Sequence, residues 1–141
     1  MLKKAVLTKQ ISITLDNKIG VLNIMSGYLA DRGINIEAVA GYEMEESKQA
    51  KIMLVVDDTR RAIDALNERG FGSVEEKDVV MVELDNKPGA LKNVTSLLAN
   101  QGINIRYIYA TTSPDESPVR VVISTSDNEK SFVTLKKSTT A

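Results

Sequence analysis

Residues Leu15 to Ile36 read LDNKIGVLNIMSGYLADRGINI, and residues Leu84 to Ile105 read LDNKPGALKNVTSLLANQGINI. The second stretch lies sixty-nine positions after the first and aligns with it without a gap, with twelve of twenty-two positions identical. The identities include Leu15/Leu84, Asp16/Asp85, Asn17/Asn86, Gly20/Gly89, Leu22/Leu91, Gly33/Gly102 and Asn35/Asn104. A period of this length is too long for a solenoid repeat and suits a small domain. The chain therefore reads as one module used twice.

Outward from each copy, the apolar pattern changes period. Ile11, Ile13 and Leu15 alternate with Ser12 and Thr14, as in a half-buried strand. Asp16-Asn17-Lys18 is turn chemistry. From Gly20 the spacing becomes three to four (Val21/Leu22, Met25, Tyr28/Leu29), which predicts a helix ended by Gly33. Strands follow at Ile34–Val39 and Ile52–Val56, with the polar connection Glu43–Gln49 between them. Ala62, Ile63 and Leu66 mark a second helix ending at Gly70.

The second copy repeats this order. A strand at Val79–Leu84 leads to a helix at Ala90–Asn100 with Leu91, Val94 and Leu97/Leu98 turned inward. Strands at Ile103–Tyr109 and Val119–Thr125 flank an exposed loop, Thr111–Pro118, and a weaker helix, Asp127–Lys137, is anchored by Phe132 and Leu135.

The element order is thus β-α-β-β-α in each copy, an α+β arrangement over residues 1–72 and 73–141. No closing strand follows the last helix. Shifted by the repeat, Ala5–Lys9 overlies Val74–Asp78, so AVLTKQISITL and VEEKDVVMVEL are equivalent long strands. The expectation is an exchange, with Ala5–Thr8 completing the sheet of the second unit and Val74–Lys77 that of the first. A local hairpin within each unit is the alternative.

Composition narrows the function. The 141 residues are 43% hydrophobic and 26% charged, which is ordinary for a globular chain. There is no cysteine and no histidine. That removes thiol nucleophiles, disulfides, thiolate or imidazole metal ligands and histidine acid–base relays. No apolar run approaches the roughly 20 residues of a membrane span, and no secretory segment opens the chain. A net charge of −1 provides no basic field for nucleic acid. The expectations are a cytoplasmic protein that is not an enzyme, with no cofactor, no metal, no nucleic-acid partner and no membrane.

A β-α-β-β-α-β unit with D-N-K-P-G-A-L at the first strand–helix turn and Q-G-I-N-I entering the second strand resembles an ACT domain. Both copies match, so the resemblance is to a small protein of two tandem ACT domains. It implies an α+β fold of two ferredoxin-like βαββαβ sandwiches, with antiparallel sheets and helices on one face, and a regulatory module that binds small ligands, most often amino acids, at interfaces between paired domains.

The turn itself suits such a ligand. A helix start presents free amides and the positive end of its dipole, which favour a carboxylate. Gly20 and Gly89 allow close approach to the backbone. The carboxamides of Asn17 and Asn86 donate and accept, matching a zwitterion, and Asp16 or Asp85 could answer its ammonium. Leu22 and Leu91 would wall the apolar part. By the resemblance, Asn35 and Asn104 meet the ligand from a neighbouring domain. The same residues have a plainer reading: good turn formers, with Asp16 and Asp85 capping the helices. Ile19 replaces the proline of the second copy and of the family, so the two sites need not be equivalent.

Free second-strand edges, Ile34–Val39 and Ile103–Tyr109, suggest homodimerisation by strand addition. A metabolic enzyme is the second partner implied. Competing readings are an adaptor or regulatory subunit with no ligand of its own, an enzyme, and an RNA-binding module. The enzyme lacks any recognisable catalytic pair. The RNA module needs aromatics on its central strands, and Lys51–Val56 and Arg120–Thr125 have none. Tyr107 and Tyr109 pack or line a pocket instead.

Overall fold

The computed structural model describes residues 2–112, 115 and 118–140. Four positions of the expected loop Thr111–Pro118 lie outside the described residues. The elements run β1 (Leu2–Asp16), α1 (Val21–Asp31), β2 (Ile36–Glu43), β3 (Gln49–Val56), α2 (Thr59–Arg69), β4 (Ser73–Leu84), α3 (Ala90–Asn100), β5 (Ile105–Thr111), β6 (Val119–Thr125) and α4 (Asn128–Lys136). Two compact units result: Lys9–Lys77, and Asp78 onward together with the residues up to Thr8.

In the unit 9–77 the antiparallel strands follow the order β2-β3-β1. Ile11 faces Leu54, Ile13 faces Ile52 and Leu15 faces Ala50 across the β1–β3 pair. These side chains share one face of the pleat. Met25 and Leu29 of α1 with Ala62, Ala65 and Leu66 of α2 pack on it, closing a core with Ile34 and Val56. Ser73–Lys77 brings Val74 to the same core, and just before it Gly72 presses against Thr14 and Leu15.

The second unit repeats the scheme in the order β5-β6-β4, with β1 residues 2–8 as the fourth strand. Val80, Val82, Leu84, Val121 and Ile123 meet Ala90, Val94, Leu98 and Leu135, and the N-terminal segment adds Leu2 and Ala5. Leu2 and Ala5 are each only 1% exposed despite their position in the chain. Leu2 and Ala5 thus join the core of the second unit, and Val74 that of the first.

The two units share a register as well as a topology. Leu15↔Ala50 and Ile13↔Ile52 in the first correspond, sixty-nine residues on, to Leu84↔Val119 and Val82↔Val121 in the second. Both edge strands are irregular at the same point, between Ile36 and Ala38 and between Ile105 and Tyr107. Both first helices close with the same pair of bonds: Gly33 N–H to Ala30 O and Ile34 N–H to Leu29 O, and likewise Gly102 to Ala99 and Ile103 to Leu98.

The differences from expectation have simple causes. β1 begins at Leu2 because Leu2 and Ala5 continue the buried side of the strand. β2 begins at Ile36 rather than Ile34, since Ile34 is held by the helix-ending bond. Leu91 does not turn inward: it is 50% exposed, and Ala90 takes the buried place at the start of α3.

α4 owes its position to a polar cluster as much as to Leu135. Asn128 Oδ1 accepts from the Thr125 amide and hydroxyl, and its Nδ2 donates to Asp78 O at 2.9 Å. The buried Ser131 hydroxyl pairs with that of Thr125 at 2.8 Å and donates to Asp127 O. At the matching positions the first unit has Val56, Thr59 and Ala62. The shortage of apolar anchors in this last helix is thus met by hydrogen bonds.

Candidate functional site

Both strand–helix turns have the same construction. Gly20 and Gly89, at φ 83° and 86°, occupy the left-handed region at the N-cap positions of α1 and α3, where only glycine is unstrained. Neither helix has a side-chain cap. Asp16 and Asp85 therefore do not cap, against the plainer reading of the sequence; the Val21 and Ala90 amides donate back to Lys18 O and Lys87 O, and no side chain takes the remaining first-turn amides. By contrast α2 and α4 are capped by Asp58 and Asp127, which accept from Arg61 and Lys130 amides.

In the second unit this turn forms one wall of a pocket of about 280 Å³. It is lined by Leu84, Asp85, Asn86 and Lys87 of the turn, Ala90 and Leu91 of α3, and Ala110–Thr112 with Val119 and Val121. The pocket thus sits where β4 hands over to α3, beside the end of β5 and the start of β6. Its lining combines aliphatic and polar side chains. Small-molecule sites are commonly built in this way.

The Asn86 side chain is exposed, and among the described residues no hydrogen bond engages it; the same holds for Asn17 in the first turn. Asp85 is different. Its Oδ1 lies 3.2 Å from Lys3 Nζ and its Oδ2 3.8 Å from Lys87 Nζ. The Lys3 ammonium, first by hydrogen bond and then by charge, holds the Asp85 carboxyl below its ordinary value of 3.8. The carboxylate expected to meet a ligand ammonium already faces two lysines.

The strand-entry asparagines lie elsewhere. Asn104 exchanges backbone bonds with Ser126, its N–H donating to Ser126 Oγ at 3.0 Å and its O accepting from Ser126 N–H at 2.9 Å. Asn35 is held in the same way by Asp57. Asn104 precedes the end of β5 that pairs with Thr125, whereas the pocket touches the end that pairs with Arg120. Six residues of strand separate Asn104 from Ala110, roughly 20 Å. Within one unit Asn86 and Asn104 do not meet.

Of the residues expected from the sequence, Asp85, Asn86 and Leu91 line the pocket. Gly89 adjoins it as the cap of α3. Asp16, Asn17, Gly20 and Leu22 occupy the equivalent places in the first unit, where Leu22 is 46% exposed. Sequence reasoning missed Lys3, Lys87, Ala90, Thr111 and Thr112. The one available signal was the small Ala90 set against Val21 in the first copy. Tyr107 and Tyr109 stack along β5 with ring centroids 6.5 Å apart and do not line the pocket. Burial pushes the Tyr109 phenol upward.

The family model described as the AHAS small subunit-like ACT domain matches residues 11–68 and again 80–139. The chain belongs to the ACT domain family. Among solved structures, protein BT0572 from Bacteroides thetaiotaomicron is 33% identical, with 95% of this chain and 90% of that one covered and a TM-score of 0.84. The ligand-free regulatory subunit of aspartate kinase from Thermus thermophilus is 18% identical over 96% and 97% of the two chains, with a TM-score of 0.70. The corresponding subunit from Thermus flavus is 19% identical over the same shares, at 0.67. The last two share the fold of the tandem ACT chain. No curated protein matches it. Among the described residues no helix is long and apolar enough to cross a membrane.

Proposed function

We propose that this tandem ACT protein is a non-catalytic sensor that binds a small carboxylate-bearing ligand, an amino acid in the first instance. The observation that carries this reading is the pocket beside the uncapped start of α3, with the unengaged Asn86 carboxamide in its lining. A pocket of about 280 Å³ lies near the small end of the roughly 300–1,000 Å³ typical of ligand sites. That suits a molecule of amino-acid size. The open amides and the helix dipole favour its carboxylate, and Leu84, Leu91 and Val121 its aliphatic part.

The distance between Asn86 and Asn104 favours a site completed by another domain. In our reading a second copy of the chain adds its strand along β2 or β5, and Asn35 or Asn104 reaches the ligand across that seam. Exposed Val39 and Ile108, 50% and 40% accessible on these edge strands, support such a contact. The ligand would then shift the packing of the seam, and a metabolic enzyme would read the change. The likeness to aspartate kinase regulatory subunits supports that last step by analogy of fold.

A thermal-shift panel of the twenty amino acids tests the proposal. A ligand at 100 times its Kd stabilises the folded state by about 2.7 kcal/mol. Asn86→Ala should remove the shift without altering the unliganded melting temperature, since that side chain holds nothing in the fold. A panel with no shift would instead favour an adaptor without a ligand of its own.

A further inference from the structure

The two turns are alike in sequence but not in charge. Asp85 has both carboxylate oxygens facing ammonium groups, Lys3 at 3.2 Å and Lys87 at 3.8 Å. Lys3 arrives from the N-terminal strand, and its counterpart sixty-nine residues on is Gly72, which has no side chain to offer. Among the described residues Asp16 has no such ion pair. The cation at Asp85 is therefore a feature of the second unit alone and not a requirement of the fold.

An α-ammonium entering the pocket would meet a carboxylate already answered twice, beside two positive side chains. A carboxylate would meet the open amides of α3 together with Lys87. Asp85 and Lys87 line the pocket and Lys3 pairs with Asp85 from outside that lining, so two ammonium groups stand against one carboxylate, which rewards an anion and penalises a cation. The aliphatic lining takes the tail in either case.

We propose that the pocket of the second unit recognises a carboxylate and an aliphatic tail without reading an α-ammonium, so that 2-oxo acids bind it at least as well as the amino acids of the same carbon skeleton. Lys3 is the positioning residue that sets this indifference by occupying Asp85. The inference rests on the reading of this pocket as a ligand site.

Calorimetric titration of the full chain with matched pairs tests it: leucine against 4-methyl-2-oxopentanoate, valine against 3-methyl-2-oxobutanoate, and 3-methylbutylamine as a probe with tail and ammonium alone. The expected result is an oxo-acid Kd equal to or below that of its amino acid, with no binding of the amine. Lys3→Met should remove the nearer of the two ammonium groups facing Asp85 and move the ratio toward the amino acid by up to about fivefold, the range of an exposed charge pair. Lys3→Arg should keep the original ratio. Amino acids binding tenfold more tightly than their oxo acids would overturn the proposal, as would a ratio untouched by Lys3→Met in a folded protein. Heat from neither series would overturn the ligand-site reading itself, a result distinct from binding with the wrong preference.

Discussion

Leu2→Ala is the substitution whose effect departs most from what chain position implies. A residue next to a terminus is normally dispensable, because termini fray. Leu2 is 1% exposed, though, in a core with Val80, Val82, Leu98 and Leu135. Truncating a buried leucine to alanine costs about 2–5 kcal/mol, the lost transfer energy plus the cavity left behind. A unit of about seventy residues has a total stability of roughly 4–10 kcal/mol. One change at the second residue should thus consume roughly a fifth of it at the least and about half at the middle of both ranges. Leu7→Ala is the control: at 38% exposure it should cost about 0.5 kcal/mol or less.

Urea unfolding followed by far-ultraviolet circular dichroism reads the magnitude, and amide hydrogen exchange reads the place. Protection should fall in α3, α4 and β6, which share a core with Leu2, before it falls in α1 and β3. Equal costs for Leu2→Ala and Leu7→Ala would refute the reasoning. So would protection lost first in the unit 9–77, because the N-terminal segment would then close the wrong sheet.

Gly72→Ala should destabilise the unit 9–77 by about 1–3 kcal/mol from backbone strain alone, since φ is +139° and a Cβ would overlap the Thr14 carbonyl oxygen. Urea unfolding measures it, and a neutral result would mean the strand after Gly72 does not lie against β1. Asn128→Ala removes the side-chain acceptor of the Thr125 amide and one donor to Asp78 O, so a loss of about 2–3 kcal/mol is expected by the same assay. Asp85 makes a contribution with a definite direction in pH. Its native value is depressed, so the stabilisation is present above the ordinary carboxylate value of 3.8 and fades as pH falls from there through the native value. In Lys3→Met the Asp85 carboxyl resonance should titrate closer to 3.8, and an unchanged titration would remove Lys3 as the cause.

The repeat carried most of the architecture because local rules decide it. Alternating Ile11, Ile13 and Leu15, the helical spacing of Met25 and Leu29 and the glycine after each helix all act over a few residues. The same patterns sixty-nine positions later demanded the same fold twice. The turn residues Asp85, Asn86 and Leu91 were legible as site candidates for the same local reason. What each side chain does there was not. Lys3 and Asp85 are eighty-two positions apart (85 − 3), and only the docking of the N-terminal strand brings their charges to 3.2 Å. The pocket likewise depends on Ala90, Thr111 and Val121, three elements whose distances follow from packing and not from neighbouring residues. Chain-local chemistry determined the modules, and long-range packing decided the charge and shape of the site.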